Sequence, residues 1–310
     1  MKTAFLFSGQ GAQFPGMGKE LYDAYPAAKR VFEIAGNVLG RDIAALCFEG
    51  TQEELNLTHN TQVCMLAADI AAGYALRDAG VQADCAAGFS LGEYAALVYA
   101  GSLDIEDAFR LVQIRADAMQ EAVPVGQGAM AALMGADGAK AEEICAKVTT
   151  DYVVAANYNS PVQTVISGTA AGVDVAIKAA EEMGITAIRL AVSAPFHCKL
   201  MEPAALRIGE ELKKISVKAP AIPVYSNYTG SVIRDDESVA DLLVKQAMNP
   251  VRWVATLENM KAAGVENYIE CGAGKTLWGL TRKTLKGSNA LKTVDQKSLT
   301  DTVDKLNPAT

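Results

Sequence analysis

The pentapeptide Gly88-Phe89-Ser90-Leu91-Gly92 is the pattern in this chain whose spacing points most directly to nucleophilic chemistry. Glycines two residues before and after a serine allow a sharp strand-to-helix turn that pushes the hydroxyl clear of the backbone. The flanks agree with that context. Cys85-Ala86-Ala87 reads as a short buried strand, Leu91 to Ala100 as a helix uncharged except at Glu93, and Gly101 falls where a helix-ending glycine belongs. A glycine-serine turn without chemistry gives the same five letters, so the partners must decide. A serine nucleophile needs a base, and the chain has two histidines. His59 lies in the polar stretch Leu57-Thr58-His59-Asn60-Thr61, which reads as a surface loop or helix cap. His197 follows the apolar run Ile185 to Val192 through Ser193-Ala194-Pro195-Phe196. Pro195 disfavours helix at Ala194, which puts His197 at the mouth of a strand-to-helix junction, where functional residues of α/β proteins gather. A core histidine with satisfied hydrogen bonds is the alternative.

A third residue stands out by lacking a partner. In the helix expected over Asp104 to Glu121, Arg110 has Glu106 and Asp107 one turn behind it and can form an ordinary helix ion pair. Arg115 has Leu111 and Val112 behind and Ala118 and Met119 ahead, with no acid on its face. Such an arginine must find an anion elsewhere, and a carboxylate held bidentately is its natural match; a tertiary salt bridge or a snorkelling surface arginine gives the same pattern. Two glycine-rich loops imitate nucleotide sites and fail on detail. Gly9-Gln10-Gly11 has Phe14 where a dinucleotide loop needs its third glycine, and Gly272-Ala273-Gly274-Lys275-Thr276 has Ile269 where a phosphate loop needs its first. The first loop has another use. Its backbone N–H groups can form one half of an oxyanion hole, with the N–H of Leu91 as the other half.

The elements that must position these residues describe an α/β protein with an insert. A chain of 310 residues, half of them hydrophobic, is long enough for one large domain plus an insertion or for two domains. A net charge of −8 with no basic cluster argues against nucleic acid as a partner, and no stretch reads as a signal peptide or membrane span. Six cysteines without Cys-x-x-Cys spacing fit a reducing, cytoplasmic setting with no zinc site. Ala4 to Phe7 is a buried strand; helices are expected over Ala28 to Leu39 and Cys64 to Ala79, before the serine turn and the Arg115 helix. Loop chemistry at Pro124 to Gly128 then opens a new run. The run is strand (Met130 to Met134), helix (Ala139 to Lys147), strand (Tyr152 to Ala156), strand (Gln163 to Ile166), helix (Gly172 to Met183), strand (Ile185 to Val192). This βαββαβ order is the ferredoxin-like signature. It divides the chain into a large domain, 1–124 and 196–310, and a small one, 125–195. The large domain resumes with a helix from Leu200, a strand near Pro223 to Tyr225, helices around Asp241 and Trp253, a strand at Tyr268 to Glu270 and a closing helix from Lys275.

Taken together, the pieces resemble malonyl-CoA:acyl-carrier-protein transacylases along nearly the whole chain. The matching segments are Phe7-Ser8-Gly9-Gln10-Gly11-Ala12-Gln13, Gly88 to Tyr94, Gln113 to Gln120, Asn157-Tyr158-Asn159-Ser160-Pro161, Ala194-Pro195-Phe196-His197, Asn249 to Trp253 and Glu270 to Gly274. The resemblance implies a hydrolase-like parallel-sheet domain carrying a ferredoxin-like insert. It implies Ser90 as the acylated nucleophile, His197 as its base, the amides of Gln10 and Leu91 as the oxyanion hole, and Arg115 as the ligand of the malonyl carboxylate. The carbonyl of Gln246 would orient His197 in place of a triad acid. Phe89 departs from the family, which usually has histidine before the nucleophile. Phe196 resembles the residue found before the catalytic histidine in malonyl-selective acyltransferases of polyketide synthases, where a bulky ring fills the space of a 2-methyl branch.

The activity implied is ping-pong transfer of malonyl from malonyl-CoA to the phosphopantetheine thiol of an acyl carrier protein, in fatty acid or polyketide synthesis, without a cofactor. Two alternatives compete with it. A serine esterase or thioesterase would deliver the acyl group to water, but the absent triad acid and the unpartnered Arg115 speak against it. A catalytically silent acyl-CoA or carrier-binding protein would need Ser90 or His197 replaced, and both are present.

Overall fold

The computed structural model describes residues 1–192 and 194–306. Ser193, in the approach to His197, and the last residues of the expected large domain lie outside it. Among the described residues nine strands form two sheets. β1 (Lys2–Phe7), β2 (Cys85–Gly88), β7 (Val224–Tyr225), β8 (Val265–Cys271) and β9 (Asn289–Thr293) make a parallel sheet in the order β7-β2-β1-β8-β9. β3 (Gly128–Met134), β4 (Val153–Ser160), β5 (Gln163–Thr169) and β6 (Thr186–Arg189) make an antiparallel sheet in the order β4-β5-β3-β6.

β1 lies at the centre of the parallel sheet and is buried from Thr3 onward, as its unbroken apolar run requires of a strand covered on both faces. Side-chain alternation sorts its residues between two cores. Phe5 and Phe7 face the larger, with Ala86 of β2, while Ala4 and Leu6 face the other, with Cys85 and Ala87. Helices Thr58–Asp78, Gly92–Tyr99 and Ile105–Glu121 pack in the first core, and Trp253–Ala262 and Thr276–Thr284 in the second. The small sheet has the strand order of a ferredoxin-like fold, with helices Gly138–Ala146 and Ala170–Glu182 on one face. Ala129, Ala131 and Leu133 of β3 face those helices. Met130 and Ala132 point the other way, into the large core, so the sheet's second face closes over the parallel-sheet domain.

Three expectations need correction. The helix expected from Cys64 begins at Thr58, so of the two readings of the stretch around His59, surface loop or helix cap, the second holds, and His59 stands exposed in the first turn. Its polar residues are satisfied locally: Asn60 Nδ2 donates to Glu54 O and Thr61 Oγ1 to Leu57 O. β6 is only Thr186–Arg189, an exposed edge strand paired with β3 alone, so the strand does not reach Val192 and His197 stands on a separate turn. Beyond the helix expected from Lys275, the chain adds β9 and helix Gln296–Leu306 to the sheet's edge. Lys19–Ala24, Ile43–Glu49 and Gln52–Asn56 are further short helices not anticipated.

Candidate active site

The carboxyl ends of the parallel strands open on a cavity of about 200 Å³, roofed by Met130 and Val165 of the small sheet. Open parallel sheets characteristically place sites at this end. Ser90 sits at the tip of the turn after β2 with φ of 53°, in the left-handed region that a side chain avoids. The two flanking glycines make the turn feasible by close approach. A Cβ on Gly92 would lie 2.2 Å from Phe7 O, and one on Gly88 would lie 1.8 Å from the carbonyl carbon of Gly92. The Ser90 peptide groups are gripped on both sides: its N–H donates to Asn227 Oδ1 at 2.6 Å, and its carbonyl accepts from Gln246 Nε2 at 2.7 Å.

Ser90 Oγ lies 2.6 Å from His197 Nε2, and His197 Nδ1 lies 3.0 Å from Gln246 O. A carbonyl only accepts, so Nδ1 carries the proton and Nε2 is left to accept from the hydroxyl. Gln246 is in the last turn of helix Val239–Met248, where carbonyls have no helical partner and the helix dipole is negative. His197 itself has φ of 58° and is buried. Burial first, and then the Arg115 charge, lower its pKa to about 4, so the imidazole is neutral at neutral pH and its Nε2 lone pair is free to accept a proton.

Arg115 comes from helix Ile105–Glu121 with its guanidinium fully buried. Nη1 donates to Gln62 Oε1 at 2.6 Å, and Nη2 donates to Ser90 Oγ at 3.0 Å and Gln246 Oε1 at 3.3 Å. Its carbon lies 5.4 Å from the centre of the Tyr94 ring. Nε has no hydrogen-bond partner among the described residues, and no ion pair neutralises the charge there. An arginine so placed opens on the cavity with donors to spare. Gln10, Leu91 and Phe196 line the same cavity. Leu91 precedes helix Gly92–Tyr99, so its N–H is one of the orphan donors of a helix start, and among the described residues neither it nor the N–H of Gln10 donates to another protein group. Phe89 also lines the cavity, its ring 5.4 Å from Trp253 in an edge-to-face contact.

Ser90, His197, Gln10, Leu91, Arg115, Phe196 and Gln246 are therefore in or against one site, and His59, the other histidine considered as a base, is not. Sequence reasoning missed Gln62, Asn227 and Glu93. Glu93 had a signal, being the sole charge in an otherwise apolar helix. Asn227 and Gln62 had none, because nothing local distinguishes them from capping or surface amides.

A parallel α/β sheet with a strained serine, an imidazole, a helix-start amide and a buried cation at its carboxyl end defines an acyl-transfer type of site. Comparison with known proteins agrees. The acyl transferase domain model matches residues 4–304, and the chain belongs to that family. It is 45% identical over 296 residues to the malonyl CoA-acyl carrier protein transacylase of Bacillus subtilis, covering 94% of this chain and 92% of that protein. It superposes on the crystal structure of the malonyl CoA-acyl carrier protein transacylase from Clostridium perfringens with a TM-score of 0.96 at 40% identity, covering 99% and 98% of the two chains. A malonyl-transacylase solved in complex with a type II polyketide synthase acyl-carrier protein superposes with a TM-score of 0.95 at 39% identity, covering 98% of this chain and all of that one.

Proposed function

We propose that this chain transfers the malonyl group of malonyl-CoA to the phosphopantetheine thiol of an acyl carrier protein, through an ester on Ser90. His197 Nε2 accepts the Ser90 proton as Oγ attacks the thioester carbonyl. The new C–O bond forms, the N–H groups of Gln10 and Leu91 take the oxyanion, and the C–S bond breaks with the imidazolium returning its proton to the coenzyme A thiolate. The carrier thiol then attacks the ester by the same steps in reverse, giving its proton to His197. Gln246 O steadies the imidazolium, a carbonyl at a helix C-terminus standing where a triad would have a carboxylate. Phe196 walls the acyl pocket and favours an unbranched malonyl over a 2-methyl homologue, a discrimination of about 1–3 kcal/mol for one methyl group.

The observation that carries this reading is the guanidinium of Arg115, buried 3.0 Å from the Ser90 hydroxyl with an unfilled donor. A short acyl chain ending in a carboxylate fills that want, and a neutral acyl chain or a water-delivering esterase site does not. Two domains, 1–124 with 196–310 and 125–195, enclose the acyl group between them; the supporting feature is the cavity bounded by both sheets. Among the described residues no helix is long and apolar enough to cross a membrane, and with six unpaired cysteines we place the protein in the cytoplasm.

Single-turnover acylation of wild type and Arg115→Ala by malonyl-CoA and acetyl-CoA tests the proposal. In wild type malonyl is strongly preferred, since an acetyl group leaves the buried cation unpaired. In the variant malonyl transfer collapses while acetyl transfer rises in absolute rate. Equal loss for both substrates, in a protein that melts normally, would show that the carboxylate is read elsewhere.

A further inference from the structure

Behind the nucleophile lies a carboxylate that the mechanism above does not use. Glu93, in the first turn of helix Gly92–Tyr99, has no solvent exposure, and its neighbours on that helix are apolar. An aliphatic side chain there would satisfy packing at far smaller desolvation cost. Its Oε2 accepts from Asn227 N at 3.1 Å and from Gln246 Nε2 at 2.9 Å. These two donors lie 134 and 153 positions from Glu93 in sequence, and both residues also hold the backbone of Ser90. Asn227 Oδ1 takes the Ser90 N–H, and its Nδ2 donates to Gly88 O at 2.7 Å; Gln246 Nε2 donates to Ser90 O.

Glu93 also settles which way the Gln246 amide faces. With its nitrogen toward Glu93 Oε2 and Ser90 O, its oxygen is left toward Arg115 Nη2. The reversed amide would set oxygen against two acceptors and nitrogen against a cation. One carboxylate oxygen thereby fixes a glutamine that touches the serine through its amide nitrogen, the arginine through its amide oxygen and the histidine through its main-chain carbonyl.

We propose that Glu93 is a positioning residue for acyl transfer: a shared buried acceptor that locks the strained Ser90 peptide, His197 and Arg115 into one register through Asn227 and Gln246. The proposal rests on the assignment of Ser90 and His197 given above. It places Glu93 outside contact with substrate, so it acts on the rate of the chemical step and little on substrate affinity.

The test compares Glu93→Leu, which removes the acceptor, with Glu93→Gln, whose amide oxygen keeps it. Two readouts are used: sulfonylation of Ser90 by phenylmethylsulfonyl fluoride, and single-turnover acylation over a range of malonyl-CoA concentrations. Glu93→Leu should lower both maximal rates by about 100-fold, the scale of a misplacement near 1 Å, while the half-saturating malonyl-CoA concentration moves less than about threefold. Glu93→Gln should recover most of that loss. If Glu93→Leu does not fold, Glu93→Asp, one methylene too short to reach both donors, should be folded and slowed by at least about tenfold. A folded Glu93→Leu reacting at the wild-type rate would overturn the proposal, as would Gln and Leu variants equally impaired, or a loss confined to half-saturation. The sulfonyl fluoride needs no malonyl group. Wild-type protein that is sulfonylated at Ser90 but not acylated by malonyl-CoA would refute the substrate and leave the role of Glu93 to be read from the first assay.

Discussion

Ser90 and His197 are the non-glycine residues with positive φ among the described residues, and they are also the two that face each other at 2.6 Å. Strain of this kind is on the order of 1–3 kcal/mol per residue and persists only where surrounding bonds over-determine it. At Ser90 those bonds are visible, from Asn227 and Gln246. Ser90→Ala should abolish acyl-enzyme formation, and His197→Ala should slow it by several powers of ten, as losses of coupled catalytic groups do. His59→Ala, on an exposed helix turn, should transfer at the wild-type rate; damage equal to that of His197→Ala would misplace the base. The pH profile gives an independent check. Burial and Arg115 hold the His197 pKa near 4, below the ordinary 6.5, so the acid limb of Ser90 acylation should fall near pH 4. Arg115→Gln removes the nearby charge and should move that limb upward, read most directly with the neutral sulfonyl fluoride. An acid limb at 6.5 in both proteins would mean that the imidazole is solvated when it acts.

Among elements, what could be read in the sequence followed from local constraint. The serine turn was legible because glycine spacing, an apolar strand and a helix former all state the same geometry. The Arg115 helix was legible because Asp104 caps it by accepting from the N–H groups of Glu106 and Asp107. The small domain was legible from element order alone. The start of helix Thr58–Asp78 was hidden, since its polar residues are satisfied by contacts that no periodicity reveals, and so was β9, an edge strand whose alternation is weak. The grip of Asn227 on the nucleophile joins residues 137 positions apart and has no local signal. The elbow itself predicts a contrast between glycines. Gly92→Ala drives a Cβ into Phe7 O at 2.2 Å, where rigid strand backbone cannot yield, and should leave the protein largely unfolded or insoluble. Gly279→Ala, in helix Thr276–Thr284 with open space around its Cβ, should raise stability by about 0.5–1 kcal/mol in denaturant melts. A folded, active Gly92→Ala would mean that the elbow is looser than its contacts imply.

For the molecule as a whole, the acids enclosed with the site make stability depend on pH in an unusual sense. Asp69 is completely buried in helix Thr58–Asp78 beneath the Gly272 loop, and neither carboxylate oxygen has a hydrogen-bond partner among the described residues. Burial, reinforced by the nearby charge of Glu270, holds its pKa well above the ordinary aspartate value, and burial raises Glu270 as well. A carboxyl whose folded pKa is raised binds its proton more tightly in the native state. It therefore adds stability below its unfolded pKa and loses it as pH climbs toward the folded one. Glu93, raised from 4.5 to about 7, has the same sign. His197, lowered from 6.5 to about 4, has the opposite sign. Asp69 and Glu270 add slopes of the same sign as Glu93. Asp69→Asn keeps the shape but cannot titrate, so its stability relative to wild type should improve as pH climbs above the ordinary aspartate value toward the raised folded one. The limiting slope is about 1.4 kcal/mol per pH unit while Asp69 stays protonated in the fold and ionised in the unfolded chain. In calorimetric melts that corresponds to a relative gain on the order of 2 °C per pH unit. The amide's extra donor can shift the variant's Tm as a constant offset, so the change with pH is the decisive quantity. Parallel Tm curves for the two proteins across this range would mean that Asp69 is ionised in the native state and that a cation or ordered water satisfies it.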